Sequence, residues 1–558
     1  MNDISNLRFT TSHTGVMAFV GWMCDMLGIS EVVDELLSWD DRRCKLAPSL
    51  RLKALVMAMI FDRTALYRMS EFFAAEDVAV LLGHGMSAED LTDDALARFL
   101  DKLHAAGGAK VFTSACAKAL TAMGVPWEEL QSAHFDTTSV NVYGAYQDPE
   151  AALRIVPGFS KDGHPELNQF QIGILATAHG LPATGMVLDG NCEDGKTNGK
   201  LLEFLGENLP AEQLQGLLYV ADCKFVAPDN LNRAEQLHLN FVSRLPSTYA
   251  ACGQVKDEAW RRSLWIEVGR LSEEPDAASY LVQELPVCIT DREYRAVVVR
   301  SDSLDKRKQK TIQRQVDQER QAAQRRLKEF SRNGFACAAD ARAAAERLRR
   351  DLRFWELKFT VEEVVQQLRR ERPGRPAKGA TVPTRTSQVV QGELVLNQAA
   401  VEEARQRAGT FVLISNDHRH DAVSLLRQYK DQQTANEIPF HVIKALPVAP
   451  VFFKREHRVE AFVWVALLAY LVYASTQYLV RTALAGLGEK LVVPGKREVA
   501  APTARSIFDM LETVKTARIS LDGGLTWTRQ VERISNEVRK LLYLLKVPMS
   551  IYLKEPCG

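Results

Sequence analysis

The sequence predicts a multi-domain protein of mixed α/β class. Three observations carry this: the length, an abrupt change of texture near Gln131, and one strongly basic stretch in an otherwise neutral chain. At about 150 residues per domain, 558 residues make three to four domains with at least one large core. Hydrophobic residues at 46% and charged residues at 25% sit near the globular average, which excludes a disordered chain. The 70 Lys+Arg balance the 70 Asp+Glu, so no whole-chain electrostatic footprint exists for nucleic acid or membrane, and any such footprint must be local.

Residues 1 to about 125 read as a helical domain for DNA binding or dimerisation. Stretches 32–37, 52–59 and 96–103 carry apolar residues at three- and four-residue spacing, and Pro and Gly are sparse. The segment holds 12 basic and 16 acidic residues, a net of −4, so a DNA groove contact here would come from a few groups such as Arg42, Arg43, Lys45, Arg51 and Lys53. From Gln131 short apolar and β-branched runs begin, including SAHFDTTSVNVYG, FQIGILATAHG, LPATGMVLDG, GLLYVAD and LNFVSRLP. Helical TNGKLLEFLGENL and APDNLNRAEQL separate the later ones. Three strands in a meander followed by alternating helix and strand describe a layered α/β domain over 126–250.

Residues 251–408 read as an inserted domain with further strands (SLWIEVGRL, REYRAVVVRS) and one or two long polar helices from 303 to about 371. Over 301–385 there are 22 Lys+Arg and 12 Asp+Glu, a net of +10. Arg325, Arg326, Arg349 and Arg350 are candidates for tracking phosphate, against the plainer reading of a solvated helical hairpin. Arg372-Pro-Gly-Arg375 has the form of short elements that lay Arg in a minor groove, and such tetrapeptides also occur in plain linkers. GTFVLISND at 409–417 is a returning strand, 422–437 a helix, and 461–480 an uncharged helix. Ser475, Thr476 and Gln477 interrupt it, so a helix buried in a large core is expected and no membrane partner. The tail, 486–558, has a Pro/Gly linker at 493–497 and an amphipathic helix near 531–545. Nine scattered cysteines without C-x-x-C pairs fit reduced thiols in a cytosol.

Among 70 acidic residues, structural setting singles out two. Asp136 lies inside a strand between Phe135 and β-branched Thr137, where an unpaired charge facing a core costs several kcal/mol. Asp222 ends the run Leu218-Tyr-Val-Ala-Asp at the strand edge where α/β sheets place ligands. Divalent metals of the Mg²⁺ type take such oxygen ligands.

The run His134-Phe-Asp-Thr-Thr-Ser-Val-Asn-Val-Tyr-Gly is followed by Gly158-Phe-Ser-Lys-Asp-Gly-His-Pro-Glu-Leu-Asn-Gln-Phe, Tyr219-Val-Ala-Asp222 and Arg244-Leu-Pro-Ser-Thr-Tyr249. Then come Phe411-Val-Leu-Ile-Ser-Asn416, Tyr429-Lys-Asp-Gln432 and Arg458-Val-Glu-Ala461. Taken in order, these resemble the DDE-type transposases of bacterial insertion sequences, over most of residues 30–480.

The resemblance implies a ribonuclease-H-like catalytic core, split into 126–250 and 409–485, in which Asp, Asp and Glu hold two Mg²⁺ (or Mn²⁺) ions. Asp136 and Asp222 match the first two acids. The third lies in a Tyr-x2-Arg-x3-Glu-x6-Lys signature, from which this sequence departs. Glu437 and Lys444 hold their spacing, but Tyr429 is eight residues before Glu437 instead of seven, and Gln432 or Gln433 replaces Arg. Glu437 is the expected third acid, with Asn436 the competing register, and Tyr429 and Lys444 are expected to contact DNA. The resemblance further implies phosphodiester hydrolysis at transposon ends and strand transfer, double-stranded DNA partners, a homodimer on DNA, and a bacterial cytoplasmic, nucleoid-associated location. The alternative is a non-catalytic, DNA-binding relative.

Overall fold

The computed structural model describes the chain apart from residues 1–6, 41, 43, 63, 127–129, 147, 149, 150, 161, 162, 273–276, 305, 368–383, 433–437, 446–452, 454, 521–526, 533 and 554–558. It is mixed α/β and divides into two units. The first joins Met1–Pro246 to Ser415–Gly558, and the second is Ser247–Ile414.

The first unit opens with helices α1 (Thr14–Met26), α2 (Ile29–Leu36), α3 (Pro48–Phe61), α4 (Asp93–Ala106) and α5 (Gly108–Ala122). Pro48 sits in the first turn of α3, where a missing N–H costs nothing. Thr92 caps α4 by accepting from the Ala95 N–H at 3.2 Å, with Asp93 and Asp94 favourable in the first turn. Nearly all of α3 is buried, including Arg51 and Lys53, and the Lys53 ammonium meets Asp25 at 2.6 Å. Lys45 pairs with Asp90 at 2.6 Å. The expected groove contacts are corrected accordingly: Arg51 and Lys53 are packed inside the unit.

The strands follow as β1 (Ser132–Val142), β2 (Asn168–Thr177), β3 (Pro182–Asp189), then helix α6 (Asp194–Asn208), β4 (Leu218–Ala221), helix α7 (Pro228–Gln236) and β5 (Asn240–Arg244). Their order is β3-β2-β1-β4-β5. The β1–β2 and β2–β3 pairs are antiparallel, the β1–β4 and β4–β5 pairs parallel. Aromatic rings link the parallel strands: Phe135 stacks on Tyr219 at 6.4 Å, Tyr219 meets Phe225 at 5.3 Å, and Phe225 meets Phe241 at 4.9 Å. The Tyr219 hydroxyl donates to Asn198 of α6 at 2.7 Å, which satisfies the one polar group this apolar stack would bury.

In the second unit β6 (Ser279–Ile289) and β7 (Arg292–Ser301) form an antiparallel pair. Two helices, α8 (Lys306–Asn333) and α9 (Ala338–Asp351), pack on the antiparallel ribbon of β8 (Trp355–Gln367) and β9 (Thr384–Leu396), with α10 (Gln398–Ala408) beyond. Ala323 and Leu327 of α8 and Ala341, Ala345 and Leu348 of α9 close a small core with Leu357 and Val390. The expected helix thus stops at Asp351. From Trp355 the chain alternates inward Leu357, Phe359 and Val361 with outward Glu356, Lys358 and Thr360, a two-residue period masked by the high charge.

Strand β10 (Thr410–Ser415) is followed in the first unit by α11 (Ala422–Gln432), α12 (Ile438–Ala445), α13 (Glu456–Leu487), α14 (Ala504–Leu511) and α15 (Asn536–Leu544). By length and composition α13 could cross a membrane, but 89% of its most apolar window is buried against the helices around it. Packing is close at Gly108, where a Cβ would stand 2.0 Å from the Trp464 ring of α13. Gln477 accepts from the Ala504 N–H at 3.1 Å at the start of α14, which explains a polar residue in so apolar a helix. The expected linker at 493–497 is a hairpin turn instead, joining strands Leu491–Val493 and Arg497–Val499. Arg8–Ser12 pairs with Thr516–Ser520, itself paired with Thr528–Val531, and buried Asp77 (1% exposed) receives Arg529 at 2.7 Å and Arg518 at 3.6 Å. No local pattern in the sequence predicts these tail strands.

Candidate active site

Register builds the site. Phe135 of β1 lies beside Ala221 of β4, and Ala221 beside Ser243 of β5. One step further along the same three parallel strands come Asp136, Asp222 and Arg244, at the carboxyl ends where open sheets place ligands. The pleat turns Asp136 to the face opposite the Phe135 ring. Both carboxylates are half-buried and hydrogen-bonded to nearby backbone: Asp136 accepts from the Thr137 N–H at 2.7 Å and Asp222 from the Lys224 N–H at 3.0 Å. Buried Ser243 donates to the Asp222 carbonyl at 2.7 Å, which ties the end of β4 to β5.

Helix α11 packs over β1, β4 and β5 and carries Tyr429. Burial pushes the Tyr429 phenol up to about 12; Arg244 opposes this, while Asp222, Cys223 and Asp136 reinforce it. Near neutral pH the hydroxyl therefore keeps its proton. Burial, aided by Asp222, also raises the Cys223 thiol, so a thiolate nucleophile is disfavoured there. Beneath the row, burial lowers His134 to about 4, and its Nε2 lies 3.0 Å from the Ser132 hydroxyl.

The segment leading into α11 is latched to the sheet. Asn416 mimics a strand neighbour, accepting from the Phe241 N–H at 2.8 Å and donating to the Leu239 carbonyl at 3.0 Å. Fully buried Asp417 accepts from Arg419 Nε at 2.8 Å and pairs with His420 Nδ1. Arg419 in turn donates to the Gln215 and Gly216 carbonyls at 3.2 and 3.0 Å, just before β4. The His418-Arg-His-Asp421 cluster, whose residue types suit metal binding, is thus partly a structural clasp.

Asp136, Asp222 and Tyr429 are brought together, joined by Arg244, which sequence reasoning carried only inside a longer motif. A basic residue 22 positions after Asp222, at the end of the next parallel strand, was the available signal. Glu437, Arg372 and Arg375 lie outside the described residues. Of the expected helix over 422–437, Ala422–Gln432 is helical and 433–437 lie outside the described residues; α12 runs from Ile438 with Pro439 in its first turn. Tyr429 and Lys444 therefore stand on different helices. Lys444 is half-buried in the last turn of α12, whose Phe440 and Ile443 are buried. Arg325, Arg326, Arg349 and Arg350 are exposed in the second unit, where Arg326 lies 3.6 Å from Asp351 and Arg349 3.0 Å from Glu346. Among the described residues no group of three or more His, Cys, Asp or Glu is arranged to hold a metal ion. The chemistry of Asp136 and Asp222 fits a hard cation as far as two carboxylates go.

Residues 9–117 match the family model for a domain of unknown function, DUF4277. The match spans α1 to α4 and most of α5, and none of the carboxylate row. No curated protein sequence matches the chain.

Proposed function

We propose that this protein is a DDE-type transposase that cuts DNA at transposon ends and joins the freed 3′-OH to target DNA. The observation that carries the reading is the row Asp136, Asp222 and Arg244 across three parallel strands under Tyr429. Its strand order, an antiparallel meander on one side of β1 and parallel strands on the other, supports a ribonuclease-H-like core. The DUF4277 match lends support, because that domain is found in transposase-like proteins.

In this reading Asp136, Asp222 and Glu437 hold two Mg²⁺ or Mn²⁺ ions, which when bound activate the attacking oxygen and stabilise the leaving one. Arg244 offers a fixed cation to a phosphate oxygen, and the protonated Tyr429 hydroxyl donates to the same group. Lys444 contacts the backbone of the end DNA. The exposed arginines of α8 and α9, with Arg372 and Arg375, supply phosphate contacts, and a homodimer pairs the two ends.

The test is Mg²⁺-dependent cleavage, by the full chain, of duplexes carrying the termini of the element that encodes it. Cleavage abolished in Asp136→Asn supports the reading; no cleavage with Mg²⁺ or Mn²⁺ sinks it. Replacing Arg325, Arg326, Arg349 and Arg350 by Ala should flatten the log–log salt dependence of binding, by up to roughly 0.9 in slope for each phosphate that is no longer neutralised. An unchanged slope moves the phosphate-binding surface elsewhere. The irregular spacing before Glu437 favours a second reading, a DNA-binding relative without catalysis, which predicts retained binding and no cleavage.

A further inference from the structure

The outer face of α8 carries the same basic triad twice. Arg307-x2-Lys310-x3-Arg314 returns as Arg325-x2-Lys328-x3-Arg332, each residue 18 positions after its counterpart. Eighteen residues make five full turns of an α-helix, so the two triads share one face and their centres stand about 27 Å apart. Ile312, Val316, Ala323 and Leu327 lie on the opposite face and are buried, while all six cations are exposed.

Exposed cations elsewhere in the second unit are balanced locally: on α9 Arg349 pairs with Glu346 at 3.0 Å, and on α10 Arg407 pairs with Glu403 at 2.9 Å. The row on α8 is not. Among the described residues, Lys310, Arg314, Arg325, Lys328 and Arg332 form no ion pair with a carboxylate. The nearest acids on the helix surface, Asp317 and Glu329, lie on opposite flanks of the row, roughly 60° from its centre. Like charges three and four positions apart repel on a helix surface, so each triad weakens the helix that carries it until an anion covers it.

Between the triads the face is uncharged, with Gln318 and Gln321 on it. The inner ends, Arg314 and Arg325, stand about 16.5 Å apart along the axis. The major groove of B-DNA is about 12 Å wide, and the phosphates on its two walls add several ångströms, so a straight helix laid across it puts one inner arginine over each wall. We propose that the outer face of α8 straddles the major groove of double-stranded DNA, each triad on the phosphates of one strand. The inference rests on the transposase reading and selects among the basic residues of 301–385: the two triads hold the duplex, whereas Arg326 and Arg349, already facing Asp351 and Glu346, add little. Contacts of this kind position a duplex without reading its sequence.

The test is a salt titration of binding by the full-length protein to a DNA duplex of about 30 base pairs. Each phosphate contact contributes roughly 0.9 to the log–log slope, so Arg307→Gln, Lys310→Gln and Arg314→Gln together should flatten it by about 2 to 3, and Arg325→Gln, Lys328→Gln and Arg332→Gln by a similar amount. Arg326→Ala with Arg349→Ala should leave it nearly unchanged. A rearrangement at constant charge separates the row from bulk positive charge. Gln313→Arg, Arg314→Gln, Gln324→Arg and Arg325→Gln together turn both inner cations about 100° off the face, and the slope should still flatten by roughly 1.8. All the substituted side chains are exposed, so these variants should fold. An unchanged slope in either triad variant or in the rearranged protein overturns the straddled groove, as does tighter binding to an RNA duplex of equal length, whose major groove is deep and narrow. If the triads prove dispensable while the transposon-end duplex is still cleaved, the transposase reading stands without the row. If the triad variants lose their slope while the unmodified protein cleaves nothing, the row stands and the transposase reading falls.

Discussion

The strand half and the helix half of the candidate site are built on different principles. Asp136, Asp222 and Arg244 occupy one register row, and a slip of a single residue in any strand would turn its side chains to the other face. The ladder therefore sets their relative placement. Tyr429 and Lys444 sit on α11 and α12, two helices with no shared hydrogen-bond ladder, placed by packing and by the clasp around Asp417. A helix can absorb an inserted residue by breaking or bulging, whereas a paired strand cannot do so without a bulge. The strand half should consequently tolerate no substitution, while the helix half should show where its register lies.

The largest expected effect tests the strand half. Asp222→Asn keeps size but removes a charge, and Mg²⁺-dependent cleavage should fall about a thousandfold or more while DNA binding persists. Cleavage within about tenfold of the unmodified protein would show that the row is not the reacting centre. Next comes the helix half: Glu437→Gln should bring cleavage to background and Asn436→Ala should do little. The opposite pattern would put the third acid one residue earlier.

The clasp joins the two halves. Arg419→Ala removes both carbonyl contacts before β4, and cleavage should drop about tenfold at unchanged DNA affinity, with a higher Mg²⁺ requirement and partial rescue by Arg419→Lys. A loss of activity that extra Mg²⁺ does not relieve would mean that Arg419 serves folding alone. The smallest effect is on stability. His134 is held at about 4 by burial, below its ordinary 6.5, so the unfolded chain binds a proton that the folded one refuses. Stability is thus full above about 6.5 and should fall by about 3 kcal/mol as the pH drops to about 4. Denaturant titrations of His134→Gln should show a shallower acid loss, and identical slopes would remove His134 from the account.

The strands that carry Asp136 and Asp222 were legible because β-branched alternation and apolar runs announce strands directly, and strand ends in α/β sheets announce ligands. Arg244 was less legible: its significance depends on which strands neighbour one another, and sequence spacing does not say that β5 lies beside β4. The ribbon β8–β9 was hidden by charge, because Glu356, Lys358 and Glu362 read as helix surface until the alternate residues are seen to face α8 and α9. Arg51 and Lys53 misled in the same way, since a basic residue next to an apolar run signals a groove contact or a buried pair equally well. The pairing of Thr516–Ser520 with Arg8–Ser12 spans some five hundred residues, a separation that no local pattern reports.

That separation bears on how the protein is made. The Ser12 and Thr516 hydroxyls meet at 2.9 Å across 504 positions of sequence, and α1 and α3 share their core with α13. Residues 9–117 are thus a recognisable family segment that cannot bury its own apolar surface by itself. At about 5–20 residues per second, roughly 20–80 s pass on the ribosome between synthesis of the opening helices and arrival of the tail strands that close over them. During that interval the faces of α3, α4 and α5 that α13 later covers lack their final partner, so the opening helices cannot reach their full burial until the C-terminal half of the chain has been made.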